Sequence, residues 1–104
     1  MEKRKPHYDL STVQSAVRLR GADAFTATAL ISAQAMGLET DQAIEVVCSM
    51  SRSDFYKSMT THASSKIWQD VYHIPSPAGE LYVKFTADAV TEFLLLSFKE
   101  KGDD

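Results

Sequence analysis

Several features that mark specialised classes of protein are scarce in this chain. It has one cysteine, Cys48, among 104 residues, which excludes an internal disulfide and is typical of a reducing compartment. The longest apolar run, around residues 93–96, is far too short to span a bilayer. The basic start MEKRKPH leads into a polar segment rather than the apolar region of a signal peptide. These absences predict a cytoplasmic protein with no membrane association.

An excess of positive charge is also lacking. The formal net charge is -3, and neither half of the chain is basic. Residues 1–50 carry five Lys/Arg against six Asp/Glu, and residues 51–104 carry six against eight. A broad basic surface for nucleic acid is therefore excluded. Any site for RNA must be a local cluster of lysines.

The metal-binding residue types do not form a recognisable pattern. The spacing of His7, His62 and His73 matches no zinc motif, and Cys48 falls on the apolar stripe of a predicted helix. We therefore predict no metal site and no cofactor. Because imidazole titrates near neutral pH, His62 or His73 could still act as an acid or base. Asp54 and Asp70 are expected to cap or orient nearby groups rather than to act as paired catalytic carboxylates.

The first half of the chain has helical periodicity. Ser11 is a candidate N-cap for a helix through Leu19, Thr26 or Thr28 opens a second helix before Gly37, and Thr40 caps a third. The segment between Gly21 and Phe25 is ambiguous and could hold a short edge strand. In the second half the period changes to two, which predicts strands at Asp54–Thr60, Lys66–His73, Glu80–Ala87 and Phe93–Lys99.

Short connections between these strands predict an antiparallel meander, with residues 88–92 joining the last two. Helices followed by strands indicate an α+β fold, a single domain over residues 1–104 in which about three N-terminal helices cover one sheet face. Alternation places Tyr82 and Lys84 on the other face. In the fourth strand it predicts a core set of Leu94, Leu96 and Phe98, with Lys99 opposite. It does not decide the faces of Lys57 and Gln69.

Four segments resemble a known family. DFYKSMTT, IWQDVY, SFKEK and the opening MEKRKPHYDLS are similar to the motility quorum-sensing regulator (MqsR) toxins, so the resemblance covers nearly the whole chain. It implies a fold like that of the RelE mRNA interferases. It also implies that Lys57, Gln69, Tyr82 and Lys99 form the catalytic site, and by this analogy we place Lys57 and Gln69 on the polar face.

These residue types suit RNA cleavage without a metal. The reaction needs a base for the 2′-OH, a cation for the charge that develops on phosphorus, and an acid for the 5′-oxygen. Lysine supplies the cation, and it can be the base only if its pKa is lowered by neighbouring charges such as Lys84. Tyr82 could donate a proton, and Gln69 could hold a phosphate or a base edge. Tyr56, Lys84 and Trp68 are candidate RNA contacts, although packing is the favoured role of Trp68 and of Tyr56, and Lys84 could equally be a surface lysine.

The resemblance also implies an activity and partners. The expected activity is ribosome-independent cleavage of mRNA at GC-containing triplets such as GCU, causing growth arrest and persistence. The expected partner is an MqsA-like antitoxin with zinc-binding and helix-turn-helix modules, through which alone the toxin would reach DNA. The rival hypothesis is a non-catalytic RNA- or protein-binding module on the same scaffold, for which the negative net charge is the main support.

Overall fold

A computed structural model describes residues 1–76 and 79–95 of the chain. Five strands and three helices are assigned, and two short 3₁₀ turns flank the helices, at Gly21–Ala24 and Arg52–Asp54. In chain order the elements are β1 (Glu2–Lys3), α1 (Leu10–Arg20), α2 (Ala27–Ala35), α3 (Thr40–Ser49), β2 (Phe55–Thr60), β3 (Trp68–Ser76), β4 (Gly79–Thr86) and β5 (Ala89–Leu95).

Two of the helices, α1 and α2, begin at a residue whose side chain accepts from a free backbone N–H group. In α1 that residue is Asp9, not Ser11 as predicted, because the Asp9 carboxylate accepts from Thr12 N (3.1 Å) and also from the Ser11 hydroxyl (2.7 Å). Thr26 caps α2, as one of the two predicted alternatives, by accepting from Ala29 N at 3.2 Å. The cap of α3 is Glu39, one residue before the predicted Thr40.

The ambiguous segment after α1 is a 3₁₀ turn rather than an edge strand. Residues Gly21–Ala24 form the turn, and Phe25 makes a single parallel bridge to Val90. Thr26 N then donates to Val90 O at 2.9 Å. This contact ties the start of α2 to β5 and sets the helices on one face of the sheet.

The sheet has the order β1-β2-β3-β4-β5, and every neighbouring pair is antiparallel. The α+β class, the meander and the three helices are therefore confirmed. The two-residue strand β1 was not predicted, because a segment of that length has no periodicity to detect. Among the described residues no helix is long and apolar enough to cross a membrane.

The core lies between the helices and one sheet face. It is formed by small and branched residues of the helices packed on larger side chains of the strands: Val13, Val17, Ala24, Phe25, Ala29, Ala33, Ala43, Val47, Met50, Tyr72, Ile74, Leu81, Val83, Phe85, Val90 and Phe93. The rings of Tyr72 and Phe85 stack at its centre with 5.5 Å between their centroids. Since alanines dominate the inner face of α2, that helix approaches the sheet closely.

The predicted core set of β5 is wrong at Leu94. Its side chain is 39% exposed, whereas Phe93 is fully buried. The hairpin turns at Ala87 and Asp88, so that β5 begins at Ala89 and not after residue 92. The cause of the wrong face is a β-bulge: Phe85 is paired with Val90 but Lys84 with Glu92, so the alternation of β5 shifts by one residue. Leu94 is thereby opposite Tyr82, on the face away from the helices. The predicted Leu96, Phe98 and Lys99 lie outside the described residues.

Candidate nucleic-acid site on the open sheet face

The sheet face away from the helices gathers the polar residues that the sequence singled out. Across it runs a row of cross-strand partners, in which Lys57 is paired with Val71, Val71 with Lys84, and Lys84 with Glu92. The two lysines are thus two strands apart, which corresponds to about 10 Å between their backbones. Val71 lies between them and is fully buried, as expected beneath two long lysine stems. We call this surface the open face.

A β-bulge puts Lys57 on the open face. Phe55 is paired with Tyr72, and Lys57 is paired with the next residue, Val71, so that Tyr56 is an extra residue in β2. Phe55 consequently packs edge-on against Tyr72 in the core (5.5 Å), although Phe55 and Lys57 have the same parity in the sequence. The alternation rule fails here because it assumes an unbroken strand.

Lys57 is held by a carboxylate from β1. Its Nζ donates to Glu2 Oε2 at 2.8 Å. The hydrogen bond to Glu2 is the main reason that the pKa of Lys57 is raised, and it lowers the pKa of Glu2. Lys57 is therefore a cation at neutral pH in the free protein. It can stabilise a phosphate but is unsuited to be a base.

Lys84 is also paired, with Glu92 across the β4–β5 hairpin. A second bulge, between Lys84 and Phe85 in the β4–β5 register, turns Glu92 to the open face and Val90 to the core. The Lys84 side chain is only 16% exposed. Positive charge is therefore present on the open face, but Lys57 and Lys84, its lysines among the described residues, are each paired with a carboxylate.

Gln69 lies beside this row on β3. Its Nε2 donates to Thr91 Oγ1 at 3.3 Å, and Thr91 Oγ1 in turn donates to Lys84 O at 3.1 Å. Gln69 and Lys84 line one groove of about 420 Å³, which is bounded on its other side by Glu2 and the β2–β3 turn, including His62. A glutamine that borders a groove next to a lysine can offer both a donor and an acceptor to a nucleotide.

Three aromatic rings form a second row on the open face. Tyr56 stacks on His73 with 4.3 Å between centroids and 24° between planes, and His73 contacts its cross-strand partner Tyr82 at 5.7 Å. The ammonium of Lys57 lies over the Tyr56 ring, 5.3 Å from its centroid. The candidate residues Lys57 and Tyr82 are therefore joined through Tyr56 and His73.

The charge states of this row follow from its partial burial. Burial raises the pKa of Tyr82, so its phenol stays protonated and can donate. Burial also lowers the pKa of His73, and the nearby Lys57 lowers it further, although Glu80 opposes this. His73 is thus neutral near pH 7. The sequence offered His73 only as an alternative to His62, because no pattern showed which histidine adjoins the lysines.

Trp68 is not on the open face. It precedes Gln69 in β3, and its ring stacks on His7 at 5.3 Å and 15°, with Lys3 Nζ 4.3 Å from the ring centroid. The structure thus brings together Lys57, Gln69, Tyr82, Lys84 and Tyr56 and separates Trp68 from them. Lys99 lies outside the described residues. Within residues 1–76 and 79–95, no three His, Cys, Asp or Glu side chains are grouped so that they could hold a metal ion.

Comparison with known proteins agrees with the arrangement of these motifs. The family described as "Motility quorum-sensing regulator, toxin of MqsA" matches residues 5–100. The chain belongs to this toxin family. It is also 45% identical over 101 residues to the mRNA interferase toxin MqsR of Escherichia coli K12, an alignment that spans 97% of this chain and 100% of that protein.

The extent of this match matters for the site. A match from residue 5 to residue 100 includes both bulged strands, the aromatic row and the segment that holds Lys99. The similarity to the MqsR toxins therefore involves the open face as a whole and not one isolated motif. It names no residue roles: those proposed for Lys57, Gln69 and Tyr82 are supported by the geometry above, and that of Lys99 is implied by the resemblance alone.

Proposed function

We propose that this MqsR-family toxin is an endoribonuclease, an mRNA interferase that cuts RNA on the open face with Lys57, Gln69, Tyr82 and Lys99. The name of its E. coli relative, mRNA interferase toxin, supports the activity. The observation that carries the site is the convergence of Lys57, Gln69 and Tyr82 on the sheet face opposite the helices that the described residues form. The finer proposal is ribosome-independent cleavage at GC-containing triplets such as GCU, which would cause growth arrest and persistence.

The reaction proceeds by attack of the RNA's own 2′-OH. The 2′-oxygen loses its proton to a base and bonds to the adjacent phosphorus, and the bond from phosphorus to the 5′-oxygen breaks. The products are a 2′,3′-cyclic phosphate and a 5′-OH, so no metal-bound water is required. Lys57, which is cationic, stabilises the added charge on the phosphate oxygens, and Tyr82 donates the proton that the 5′-oxygen needs.

Among the described residues, the candidates for the base are Glu2, Glu92 and His73. Glu2 and Glu92 are held by Lys57 and Lys84, and each would have to leave its lysine to accept a proton. His73 is neutral and lies between Tyr56 and Tyr82, which makes it available without such a rearrangement. Lys84 and Tyr56 are proposed as RNA contacts, the first to phosphate and the second to a base.

The proposed partners are mRNA and an antitoxin. The family description, toxin of MqsA, names the antitoxin class. We propose an MqsA-like partner with zinc-binding and helix-turn-helix modules that neutralises this chain in the cytoplasm and supplies its only link to DNA. Co-expression of the two proteins with a tag on one, followed by purification, should recover a stable complex and restore growth.

The function is tested by cleavage of an unstructured RNA that contains GCU and control triplets, in EDTA, with both product ends identified. Cleavage at GC sites with 2′,3′-cyclic phosphate ends is expected, and Lys57→Ala should abolish it. The matched control is Lys66→Ala, since Lys66 is an exposed lysine of the β2–β3 turn outside the open face. Equal loss in both variants would contradict the proposed site.

A second function deserves the same assay. The net charge of -3 favours a non-catalytic binding module. So do the ion pairs that Lys57 and Lys84 form with carboxylates on the open face. Intact RNA with folded, antitoxin-free protein would support this alternative, or a toxin that acts only on the ribosome. Addition of ribosomes to the same reaction distinguishes the two.

A further inference from the structure

Asp70 is a charged residue with no solvent exposure. It lies on β3 and points to the sheet face that the helices cover, where it is 0% exposed. Among the described residues no lysine, arginine or histidine side chain forms an ion pair with it. A buried carboxylate without a cation is costly unless hydrogen-bond donors surround it. Its donors therefore explain why it is tolerated.

Three donors converge on the carboxylate. The backbone N–H of His7 donates to both oxygens at 3.0 Å, and that of Tyr8 donates to Oδ2 at 2.9 Å. The Ser58 hydroxyl donates to Oδ1 at 2.7 Å. The two backbone donors come from the segment before α1, and the third comes from β2. Asp70 thus fastens three separated parts of the chain to one another.

Two of these parts are adjacent to proposed catalytic residues. Ser58 and Asp70 are cross-strand partners, Ser58 follows Lys57 in β2, and Asp70 follows Gln69 in β3. The Ser58 hydroxyl also lies 3.3 Å from Gln69 O. Side chains alternate along a strand, so Ser58 and Asp70 point to the face that the helices cover, whereas Lys57 and Gln69 point to the open face. A fixed Ser58–Asp70 pair therefore fixes the backbone positions of Lys57 and Gln69.

The third part is the segment of residues 2–8, which we call the N-terminal strap. Its Tyr8 hydroxyl donates to Trp68 O at 2.9 Å, and its His7 stacks on the Trp68 ring. At its other end Glu2 reaches Lys57 on the open face. The strap therefore contacts β3 on the side that the helices cover and, through Glu2, reaches β2 on the open face, and Asp70 accepts from its two consecutive N–H groups.

We propose that Asp70 is a positioning residue, which through Ser58 and the N-terminal strap holds Lys57 and Gln69 in the geometry needed to cut RNA. This inference rests on the proposed function of those two residues. Asp70 does not touch the substrate, since it lies on the opposite side of the sheet. Its effect on the reaction is indirect and passes through the register of β2 and β3.

The test is a double-mutant cycle between Asp70→Asn and Gln69→Ala. Asparagine has the same shape, but its amide group cannot accept hydrogen bonds from all three donors. The first-order cleavage rate is measured at saturating RNA and divided by the folded fraction. We expect Asp70→Asn to lower it by about 10- to 100-fold in the wild-type background, since small misplacements of reacting groups have effects of this size. In the Gln69→Ala background the loss should be smaller by about threefold or more, because one of the two positioned groups is gone and only the effect on Lys57 remains.

Equal losses in the two backgrounds would overturn the proposal and leave Asp70 as a stabilising residue only. The control is Val13→Ala, a core change in α1 that should lower the melting temperature without lowering the rate per folded molecule. If Asp70→Asn does not fold, Ser58→Ala removes a single donor and should give the same non-additivity with a smaller loss.

A measurement without RNA separates this inference from the proposed function. In ¹⁵N spectra, Asp70→Asn should shift the Gln69 side-chain amide and speed hydrogen exchange at the His7 and Tyr8 amides, whereas Val13→Ala should not. If these changes occur in a protein that cuts no RNA, the positioning holds and the proposed function fails. Unchanged Gln69 and strap signals would refute the positioning whatever the activity.

Discussion

Glu2 and Lys57 form an ion pair, 2.8 Å from oxygen to nitrogen, which joins the shortest strand of the sheet to the centre of the open face. The same lysine is the cation that the proposed reaction needs. Phosphate and Glu2 compete for one ammonium group, because both are anions that approach it from the solvent side. RNA binding must therefore displace Glu2 or bind beside it.

The first prediction concerns this competition. Glu2→Gln should tighten RNA binding by about two- to fivefold at low salt, in line with the small contribution of an exposed ion pair. Affinity is measured by fluorescence anisotropy with an RNA that carries a 2′-deoxy group at the cleaved position. The control is Glu45→Gln, which removes an equal charge from the exposed Arg18–Glu45 pair on the helices. Equal tightening in both variants would show that the effect on RNA affinity comes from net charge alone.

The second prediction isolates the phenol of Tyr82. Tyr82→Phe should lower kcat by about 100-fold or more with little change in KM, because it removes a proton donor and keeps the ring. Tyr56→Phe is the matched control, since Tyr56 is in the same aromatic row and is proposed only to contact a base. It should change kcat by less than about threefold. A similar loss in the two variants would mean that the row as a whole, and not the Tyr82 hydroxyl, matters.

The third prediction is a pH dependence of stability that arises from His73. The folded-state pKa of His73 is lowered, chiefly by burial and also by Lys57, whereas Glu80 acts in the opposite direction. The unfolded chain therefore binds a proton more readily than the folded one, and the free energy of unfolding falls as the pH drops below about 6.5. Above that pH the imidazole is neutral in both states and has no such effect.

His73→Phe keeps a ring between Tyr56 and Tyr82 but cannot be protonated. Its melting temperature should be close to that of the wild type at pH 8 and should fall less steeply between pH 6.5 and pH 5. Differential scanning calorimetry at several pH values measures both curves. Parallel curves would show that His73 is not the group responsible.

The fourth prediction follows from the register of β5. Phe93 is fully buried against Phe25, whereas Leu94 is on the open face opposite Tyr82. Phe93→Ala should reduce the free energy of unfolding by about 3 kcal/mol or more, and Leu94→Ala by less than about 1 kcal/mol. Urea unfolding of the two variants gives both values. If Leu94→Ala were the more destabilising change, Leu94 would be in the core, as the alternation of Leu94, Leu96 and Phe98 predicted.

The sequence was sufficient to predict most of the helices and strands but not the irregular positions within the strands. Periodicity predicted three helices and four strands because it is a local signal, whereas the caps of α1 and α3 are Asp9 and Glu39 instead of the predicted residues, and β5 begins at Ala89 instead of Phe93. The bulges at Tyr56 and opposite Lys84 were not visible, since an extra residue in one strand depends on the pairing between strands. The faces of Lys57 and Leu94 depend on those bulges, which is why alternation left the first undecided and misassigned the second.

The role of Asp70 was also beyond a sequence pattern. An aspartate in a strand is ordinarily expected to face the solvent, and only the fold shows that two N–H groups of the N-terminal strap reach it. The resemblance to the MqsR toxins placed Lys57, Gln69 and Tyr82 together before any geometry was known. It could not supply the carboxylates on Lys57 and Lys84, which involve a short strand and a hairpin register.

The last prediction concerns Trp68, the one tryptophan of the chain, whose fluorescence reports on its surroundings without a label. One side of the ring is stacked on His7, and Lys3 lies within 4.3 Å of its centroid. If Trp68 contacts RNA as its motif suggested, a base must replace one of these groups, and RNA should quench the emission strongly through stacking. If its role is to pack the N-terminal strap, saturating uncleavable RNA should leave the emission nearly unchanged, whereas Asp70→Asn should shift it to the red by releasing the strap. The second outcome is the one we expect, because the ring is on the side of β3 opposite Gln69, and a base held near Lys57 could not stack on it.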